Sequence, residues 1–210
     1  MSTAPSGNLY DKYGTANPAA RSLVARFRST LDELLDRARP ASVLDVGCGE
    51  GVLSAAWAAQ SGVERVVGVD VEDVGLHAEW ERRARPGLEL SAIEPDAELP
   101  FGDGEFDLVA AIEVLEHAAD AERMLSELVR CARSHVLVSV PREPLWRALN
   151  LARGAYWRSA GNTPGHRHHW SRRSFERLVQ AHGELIALRA PLPWTVALLQ
   201  TAPAAATISA

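Results

Sequence analysis

Residues 43–51 read VLDVGCGEG and connect a run of apolar residues to a helical pattern. Glycines at such a junction let the backbone approach a ligand closely and let the N-terminus of the following helix point at it. In the fingerprint of nicotinamide dinucleotide sites, the glycines are spaced by two and then by three residues. Gly47, Gly49 and Gly51 are instead spaced by two and two. The segment therefore predicts a ligand-binding loop of a different type.

Apolar runs and helical patterns alternate on both sides of this loop. Strand-like segments occur at 42–47, 65–70, 88–93, 106–113, 135–141, 184–190 and 193–200. Helical patterns occur at 50–62, 74–84, 121–132 and 171–183, and a further helix, with Asn17 as its cap, precedes the first strand. This alternation predicts an α/β protein whose parallel sheet is covered by helices on both faces.

Composition narrows the class of protein. The chain has 210 residues and a net charge of −5, so one domain over 1–210 is expected and nucleic acid is not an expected partner. Its two cysteines are too few for a disulfide framework, which favours a cytoplasmic protein. We see no pattern of a signal peptide or a membrane span. Within the domain we distinguish an N-terminal arm and helix, 1–39, and an insertion at about 142–170.

A single acid follows the second predicted strand. The segment VVGVD places Asp70 at the strand end, where a carboxylate can accept hydrogen bonds from both ribose hydroxyls of a nucleoside. The glycine loop and this acid together resemble the motifs of the class I S-adenosylmethionine-dependent methyltransferases of the methyltransferase-11 type. The resemblance covers Val43 to Pro141. The resemblance implies a Rossmann-like, seven-stranded, mostly parallel sheet with an antiparallel last strand. It also implies S-adenosylmethionine as cofactor.

The same resemblance implies roles for the residues around the cofactor. Asp45 is expected to fix the loop and the amino group of the cofactor. The stretch DAELPFGDGEFDLV, 96–109, is similar to the one in which an acid contacts adenine, so Asp96 or Glu94 is expected there. The full set of expected cofactor contacts is Asp45, Gly47, Cys48, Gly49, Asp70, Val71, Asp96, Ala97 and Ile112.

The segment EVLEH, 113–117, ends the strand that precedes the site. Its spacing predicts that Glu113, Glu116 and His117 lie on one side of a single helical turn. Because ligands bind beyond the carboxyl ends of the strands, this turn should face the transferred methyl group. We expect His117 and Glu113 to be catalytic, since a hydroxyl acceptor needs a base or a metal to remove its proton.

EVLEH also resembles two groups of methyltransferases in particular, the ubiquinone-pathway O-methyltransferases and the small-RNA 2′-O-methyltransferases. In both, the resemblance implies that Glu113, Glu116 and His117 bind a divalent metal (Mg²⁺, Mn²⁺ or Zn²⁺) together with a distant histidine. The segment GHRHHW supplies His166 for this position, with His169 as the alternate. Metal-free relatives carry the same pattern, and there Glu113 shapes the pocket, Glu116 is a cap or is solvated, and His117 is a base or a packed ring. Both interpretations remain open.

The insertion combines tryptophans and tyrosine with arginines and histidines. We expect it to supply an acceptor wall from Trp146, Tyr156, His166, His169 and Trp170. Tyr10 and Tyr13 of the N-terminal arm are expected either to fold over the cofactor or to belong to a mobile tail. Three functions are compatible with it: a lid over the acceptor, a peripheral contact with a membrane, and a clamp for RNA. A plain packed helix with a solvated arginine face is the fourth alternative.

These observations favour an enzyme that moves the methyl group of S-adenosylmethionine to a small-molecule acceptor. The expected target is a hydroxyl oxygen of an aromatic, quinone-like or natural-product compound. Two alternatives are a metal-dependent RNA ribose 2′-O-methyltransferase and a cofactor-binding module without turnover. The oligomeric state is left open.

Overall fold

Strands and helices alternate along the computed structural model, which describes residues 17–71, 74–152, 154 and 156–201. The helices are α1 (Pro18–Ala38), α2 (Val52–Trp57), α3 (Val74–Arg83), α4 (Ala121–Cys131), α5 (Leu145–Ala152) and α6 (Arg172–Gln180). The strands are β1 (Ser42–Val46), β2 (Arg65–Val71), β3 (Leu88–Ile93), β4 (Phe106–Ile112), β5 (Ala132–Pro141), β6 (Glu184–Arg189) and β7 (Trp194–Gln200). A short 3-10 helix covers Trp157–Ser159.

All seven strands form one sheet in the order β3-β2-β1-β4-β5-β7-β6. Within the group β1 to β5, every two neighbouring strands are parallel. Strand β7 is antiparallel to both of its neighbours, β5 and β6. The predicted α/β fold with an antiparallel last strand is therefore confirmed. The chain order reverses between β1 and β4, and a ligand in such a sheet binds beyond the carboxyl ends of the strands at this point.

Two apolar layers cover the sheet, one on each face. The first layer packs α1 and α2 against the sheet through Phe27, Leu31 and Trp57, all with no exposed surface. The second layer packs α4 and α6 against the other face, with Leu125 and Phe175 fully buried. Burial of each such side chain contributes about 1.5–3 kcal/mol to folding, so the two layers fix the strand ends that carry the site.

The cap of α1 is as predicted, whereas two helices, α2 and α6, end earlier than expected. Helix α6 was expected to end at Gly183 and ends at Gln180, because the N–H of His182 then bonds to the carbonyl of Val179, three positions back. Asn17 caps α1 by accepting a 2.9 Å hydrogen bond from the backbone N–H of Ala19. Helix α2 was expected to continue to Gly62, and this expectation is wrong because α2 ends at Trp57. Beyond that residue the N–H of Gln60 bonds to the carbonyl of Trp57, three positions back, which tightens the chain into turns.

The longest helix among the described residues is α1, with 21 residues, and it is amphipathic. Neither α1 nor any other helix in this part of the chain combines the length and apolar character needed to cross a membrane.

Candidate functional site

The glycine loop after β1 is held against the end of β2. The backbone N–H groups of Gly47 and Cys48 both donate to the carbonyl of Val69, at 2.7 and 3.1 Å. Gly47 has a φ of +74° and Gly49 a φ of +54°. A Cβ on Gly47 would overlap Cγ2 of Val114, whereas a Cβ on Gly49 would meet no heavy atom within 4 Å. Gly47 is thus required by packing, while Gly49 borders open space that a ligand can fill.

The carboxylate of Asp70 braces the same loop from the end of β2. One oxygen accepts a 2.6 Å hydrogen bond from the N–H of Gly49, and the other accepts a 2.7 Å bond from the N–H of Val71. A carboxylate at the end of this strand is the type of acceptor that the hydroxyls of a nucleoside can bind. The residue is half-buried and lies beside the open space at Gly49.

Asp45 lies beneath the loop and is only 2% exposed. Burial raises the pKa of its carboxyl to about 7, against the opposing hydrogen bond from Ser54 and with a smaller contribution from the negative charge of Asp70. The hydroxyl of Ser54 donates to this carboxylate at 2.5 Å. The charge of Asp45 therefore changes close to neutral pH, unlike that of an exposed aspartate.

The segment after β4 does not form the single helical turn that its spacing predicts. Glu113 has a φ of +61°, in the left-handed region, and only the following residues 115–117 form a turn. The N–H of Glu113 continues the β4–β5 pairing by donating to the carbonyl of Ser139 at 3.1 Å. The helical expectation is wrong because the chain leaves the strand through this left-handed residue.

Glu113 and the two later residues of EVLEH consequently have different partners. The carboxylate of Glu113 accepts a 2.6 Å hydrogen bond from Nε1 of Trp194. Glu116, His117 and His166 form a separate group in which one ligating atom from each residue lies within 4.8 Å of the others. Glu113 lies outside this group. Three of the four residues expected to bind metal are thus brought together.

The group of three combines one buried carboxylate with two imidazoles. Glu116 is 1% exposed, and the rings of His117 and His166 have centroids 4.9 Å apart at 83° to each other. Burial, with the neighbouring His117, lowers the pKa of His166 to about 4. A neutral imidazole keeps a nitrogen lone pair, and one carboxylate with two imidazoles is a donor set that suits Zn²⁺ or Mn²⁺ better than Mg²⁺.

A loop formed by residues 163–169, here called the histidine loop, carries His166 to this group. The backbone N–H groups of Arg167 and His168 both donate to the carbonyl of Glu116, at 2.7 and 3.2 Å. Nδ1 of His117 lies 3.1 Å from the carbonyl of Gly165. This carbonyl can only accept, so it selects the tautomer of a neutral His117 with the proton on Nδ1 and leaves Nε2 as an acceptor.

Aromatic rings extend the site away from the histidine loop. Nε1 of Trp146 donates to the hydroxyl of Thr163 at 2.9 Å, and its ring lies 6.3 Å from that of His166, nearly parallel at 25°. The ring of Trp194 lies 6.0 Å from that of Trp146 and is stacked on Phe27 of α1 at 4.4 Å. These rings form a continuous aromatic wall from α1 to the histidine loop.

The glycine loop at the switch point, the acid at the end of β2 and the turn after β4 all lie within one stretch of the chain that matches a known family. A family model described as a methyltransferase domain matches residues 19–184 of the chain. The chain belongs to the class I S-adenosylmethionine-dependent methyltransferases. The cofactor of this family is S-adenosylmethionine.

Relatives of this methyltransferase domain act on different atoms. Ajmaline N-methyltransferase of Rauvolfia serpentina is 29% identical over 143 residues, 61% of this chain and 49% of that protein. The mitochondrial ubiquinone biosynthesis O-methyltransferase of Saccharomyces cerevisiae is 34% identical over 104 residues, 49% of this chain and 32% of that protein. The match thus covers half or less of the length of these curated relatives.

A solved structure shares the fold. Magnesium protoporphyrin IX methyltransferase from Synechocystis PCC 6803, crystallised with bound SAH, has a TM-score of 0.63 at 20% sequence identity. The similarity covers 90% of each chain. At this identity the comparison supports the fold of the methyltransferase domain, and the assignment of its acceptor has to come from the site.

Not every residue predicted from the sequence joins the site of this methyltransferase. Asp96 is exposed, and its carboxylate accepts a 3.3 Å hydrogen bond from the N–H of Ala119, while Ala97 and Glu94 are exposed in the same loop. Ile112 ends β4 and is 8% exposed. Adenine contacts of this loop stay predictions, and Tyr10 and Tyr13 lie outside the described residues.

The other residues that were expected to form the acceptor wall lie partly near the site and partly against the core. His169 lies 6.4 Å from His166, ring to ring, with its Nδ1 3.8 Å from the carboxylate of Glu143. Trp170 packs on Phe175 of α6 and stacks on His168, and it lies against the buried layer of that face. Tyr156 is half-buried, with a left-handed φ of +58°. Roles for Tyr156 and Trp170 at the acceptor stay predictions.

The structure also adds residues that the sequence did not single out. Nε1 of Trp80, on α3, donates to the carbonyl of Gly49 at 2.8 Å and so supports the glycine loop. Asn150, 3% exposed on α5, donates to the carbonyl of Gly161 at 2.8 Å and holds the approach to the histidine loop. These partners are distant in sequence, and no spacing rule connects them. Trp194 is the third such residue.

Proposed function

We propose that this chain binds S-adenosylmethionine at the glycine loop and transfers its methyl group to a hydroxyl oxygen of an aromatic, quinone-like or natural-product small molecule. The observation that carries this proposal is the aromatic wall. It places Trp146 and His166 beside His117 at the sheet edge that also holds Gly49. Flat rings recognise flat acceptors through stacking and burial.

The residues of the loop fit the cofactor. Gly49 borders open space that no described side chain fills, and the carboxylate of Asp70 lies beside it as the proposed acceptor for ribose hydroxyls. For Asp45, beneath the loop, we propose that it supports the loop and interacts with the amino group of the cofactor. When bound, S-adenosylmethionine supplies a methyl group on a positively charged sulfur, so an acceptor needs only to be aligned and deprotonated.

His117 is the proposed general base. A phenol has a pKa of about 10 and is therefore mostly protonated at neutral pH, so its proton has to be removed as the bond to carbon forms. The carbonyl of Gly165 holds Nδ1 of His117, which leaves Nε2 able to accept that proton. A general base of this kind contributes typically 10²–10⁴-fold to the rate.

Calorimetric titration with S-adenosylhomocysteine tests the cofactor part. We expect wild type to bind and Asp70→Asn to bind at least about tenfold more weakly, because ribose hydroxyls bonded to a charged group contribute about 1.5–3 kcal/mol. Asp107→Asn is the matched control. Asp107 lies at the N-terminal end of β4, opposite the end that leads to the proposed site, and its carboxylate accepts a hydrogen bond from the N–H of Ser42. Absence of binding to wild type would overturn the proposal.

A panel of acceptors tests the chemistry. Wild type with labelled S-adenosylmethionine is offered 3,4-dihydroxybenzoate, caffeate, a hydroquinone and, for comparison, aromatic amines. We expect labelled product from the hydroxyl compounds, with His117→Gln slower by about 10²-fold or more. Transfer to the amines alone would show that the proposed oxygen acceptor is wrong.

A second candidate function rests on the group formed by Glu116, His117 and His166. Its donor atoms fit Zn²⁺ or Mn²⁺, and a bound metal would acidify a hydroxyl directly. The corresponding activity is metal-dependent 2′-O-methylation of RNA ribose. A salt-sensitive affinity for RNA oligomers would favour it, whereas the net charge of −5 argues against it.

For the insertion we propose a lid over the acceptor. Helix α5 packs Trp146 toward the site, while Leu149 is 40% exposed and Trp157 is 69% exposed. Exposed apolar side chains of this kind also suit contact with a membrane that holds a lipid-soluble acceptor. Co-sedimentation with anionic vesicles, compared between wild type and Trp157→Ser, distinguishes the two, because a lid alone predicts no sedimentation.

A further inference from the structure

Trp194 begins β7 and reaches across the end of β5 to the residue that follows β4. Its Nε1 donates to Oε1 of Glu113 at 2.6 Å, although the two residues are 81 positions apart. Strand β5 lies between them, paired with β4 on one side and β7 on the other. Neighbouring strands are separated by about 4.8 Å, so two long side chains are needed to span this gap.

The bond is of a strong type. An indole N–H can only donate, a buried one usually has a partner, and Trp194 is 4% exposed. A bond from such a donor to an ionised carboxylate is shorter and stronger than one between neutral groups. The bond engages Oε1 of the Glu113 carboxylate.

The backbone of Glu113 is fixed as well. A left-handed φ of +61° is uncommon for a residue other than glycine, and it persists where surrounding contacts hold it. The N–H of Glu113 donates to the carbonyl of Ser139, and the side chain is held by Trp194. Backbone and side chain are therefore both constrained at the carboxyl end of β4.

The ring of Trp194 is itself immobilised from two sides. It stacks on Phe27 of α1, with centroids 4.4 Å apart, and lies 6.0 Å from the ring of Trp146 on α5. The N–H of Trp194 donates to the carbonyl of Pro191 at 2.6 Å. A donor fixed by packing can orient its partner, whereas a mobile donor cannot.

We propose that Trp194 is the positioning residue that orients the carboxylate of Glu113 toward the acceptor. This inference rests on the proposed methyl transfer. Trp194 acts only through Glu113, whose carboxylate aligns the acceptor with the methyl group. Misplacement of an aligning group by about 1 Å can cost about 10²-fold in rate, so loss of the indole N–H affects turnover more than binding.

The test compares two tryptophan-to-phenylalanine variants of the same apolar layer. Trp194→Phe keeps an aromatic ring against Phe27 and removes Nε1. Trp57→Phe is the matched control, because Trp57 is fully buried in that layer and its Nε1 has no hydrogen-bond partner among the described residues. Both variants lose similar volume, and only one loses the bond to Glu113.

The first readout needs no turnover. In ¹⁵N-labelled protein, the indole resonance that disappears in Trp194→Phe is assigned to Trp194, and we expect it to move upfield in Glu113→Gln. We expect the affinity for S-adenosylhomocysteine to stay within about twofold of wild type in all three variants, because the bond positions the acceptor side. An unmoved indole resonance would overturn the contact on which the inference rests.

The second readout is turnover of the best hydroxyl acceptor of the panel. We expect Trp194→Phe to lower kcat about ten- to a hundredfold with KM within about twofold, and Trp57→Phe to leave kcat unchanged. In a Glu113→Gln background Trp194→Phe should have no further effect. Equal losses in both phenylalanine variants, additive losses in the double variant, or full activity of Trp194→Phe would each overturn the inference. An inactive wild type would instead overturn the proposed function, and the inference with it.

Discussion

Gly47 and Val114 lie so close that a Cβ on the glycine would overlap Cγ2 of the valine. Gly47 belongs to the loop after β1, and Val114 belongs to the segment after β4. The contact therefore joins the loop proposed for the cofactor to the segment proposed for the acceptor, at the switch point of the sheet. Valine is stiff at χ1, so this side chain cannot move aside at low cost.

We predict that Gly47→Ala and Gly49→Ala differ in what they damage. Alanine at either position is strained by the positive φ, by about 1–2 kcal/mol. Gly47→Ala should lose about 3 kcal/mol of unfolding free energy in total, because overpacking against Val114 is added. Gly49→Ala should lose only the smaller amount but should bind S-adenosylhomocysteine at least about tenfold more weakly, since its methyl enters the open space. Denaturant unfolding and calorimetry measure the two quantities.

Gly62→Ala is the matched control for this pair. Gly62 has a φ of +91° and no heavy atom within 4 Å of an added Cβ, and it lies in the turn before β2. It should show the strain alone, with unchanged cofactor affinity. Equal cofactor affinity in Gly49→Ala and Gly62→Ala would contradict the proposed position of the ligand.

We predict that Asp45 makes the protein less stable as the pH rises toward neutrality. An unfolded aspartate has a pKa of about 3.9, whereas burial raises the pKa of Asp45 to about 7 in the folded state. Between these values the folded state holds a proton that the unfolded state has released. The contribution is thus fully present below about pH 4 and is lost as the pH rises through 7, with a slope of at most about 1.4 kcal/mol per pH unit.

Unfolding by urea at a series of pH values between 5 and 8 checks this prediction. The stability of wild type should fall relative to Asp45→Asn over this range, because the asparagine variant has no group that titrates there. Ser54 donates to the carboxylate and has no charge of its own. Parallel curves for the two proteins would mean that Asp45 keeps an ordinary pKa.

We predict the opposite sign for Asp107. Burial alone would raise the pKa of its carboxyl, but hydrogen bonds from Ser42 and Ala41, with the nearby Arg133, outweigh burial and hold the pKa below its usual value. The stabilising contribution is present above the unfolded value of about 3.9 and is lost as the pH falls through the lower folded value. The stability difference between wild type and Asp107→Asn should therefore be largest above about pH 5 and shrink toward pH 3, which acid-dependent urea unfolding measures.

We predict that metal retention, if the second candidate function holds, depends on His166 and not on Glu113. After incubation with Zn²⁺ and desalting, wild type should retain the metal and His166→Ala should lose it, because His166 belongs to the group with Glu116 and His117. Glu113→Gln should retain it, since Glu113 lies outside that group. Elemental analysis gives the metal content.

The control for the metal prediction is a neighbouring histidine. Nε2 of His168 lies 3.1 Å from the carbonyl of Ala118, and His168 does not belong to the group. His168→Ala should keep the metal. Equal loss of metal in the alanine variants of His166 and His168 would indicate unspecific binding by the histidine loop.

The sheet and most of its helices could be predicted because each rests on local periodicity. Apolar runs, glycines at strand ends and caps such as Asn17 are visible in the sequence, and they locate all seven strands, although β5 begins at Ala132, three residues before its predicted start. The extent of α2 could not be predicted, because the choice between an α-helix and a tighter turn after Trp57 depends on hydrogen bonds that a helical pattern does not specify.

The arrangement of the site was harder to predict from the sequence than the sheet, for a related reason. A spacing of three and four suggests one face of a helix for Glu113, Glu116 and His117, but the left-handed φ of Glu113 breaks that face. His166 could be identified from its motif, whereas Trp194 could not, because its partner lies 81 positions earlier and no local pattern marks it. Spacing rules thus found residues within a segment and missed the bonds between segments.

The tryptophans of the aromatic wall also provide an intrinsic fluorescence signal for the site. Trp146 and Trp194 lie 6.0 Å apart, and the ring of Trp146 is nearly parallel to the neutral imidazole of His166. Indole emission responds to the polarity and protonation of its immediate neighbours. If a flat acceptor occupies the wall as proposed, the fluorescence of the unlabelled protein should change, so that acceptors could be ranked by titration before any product is detected.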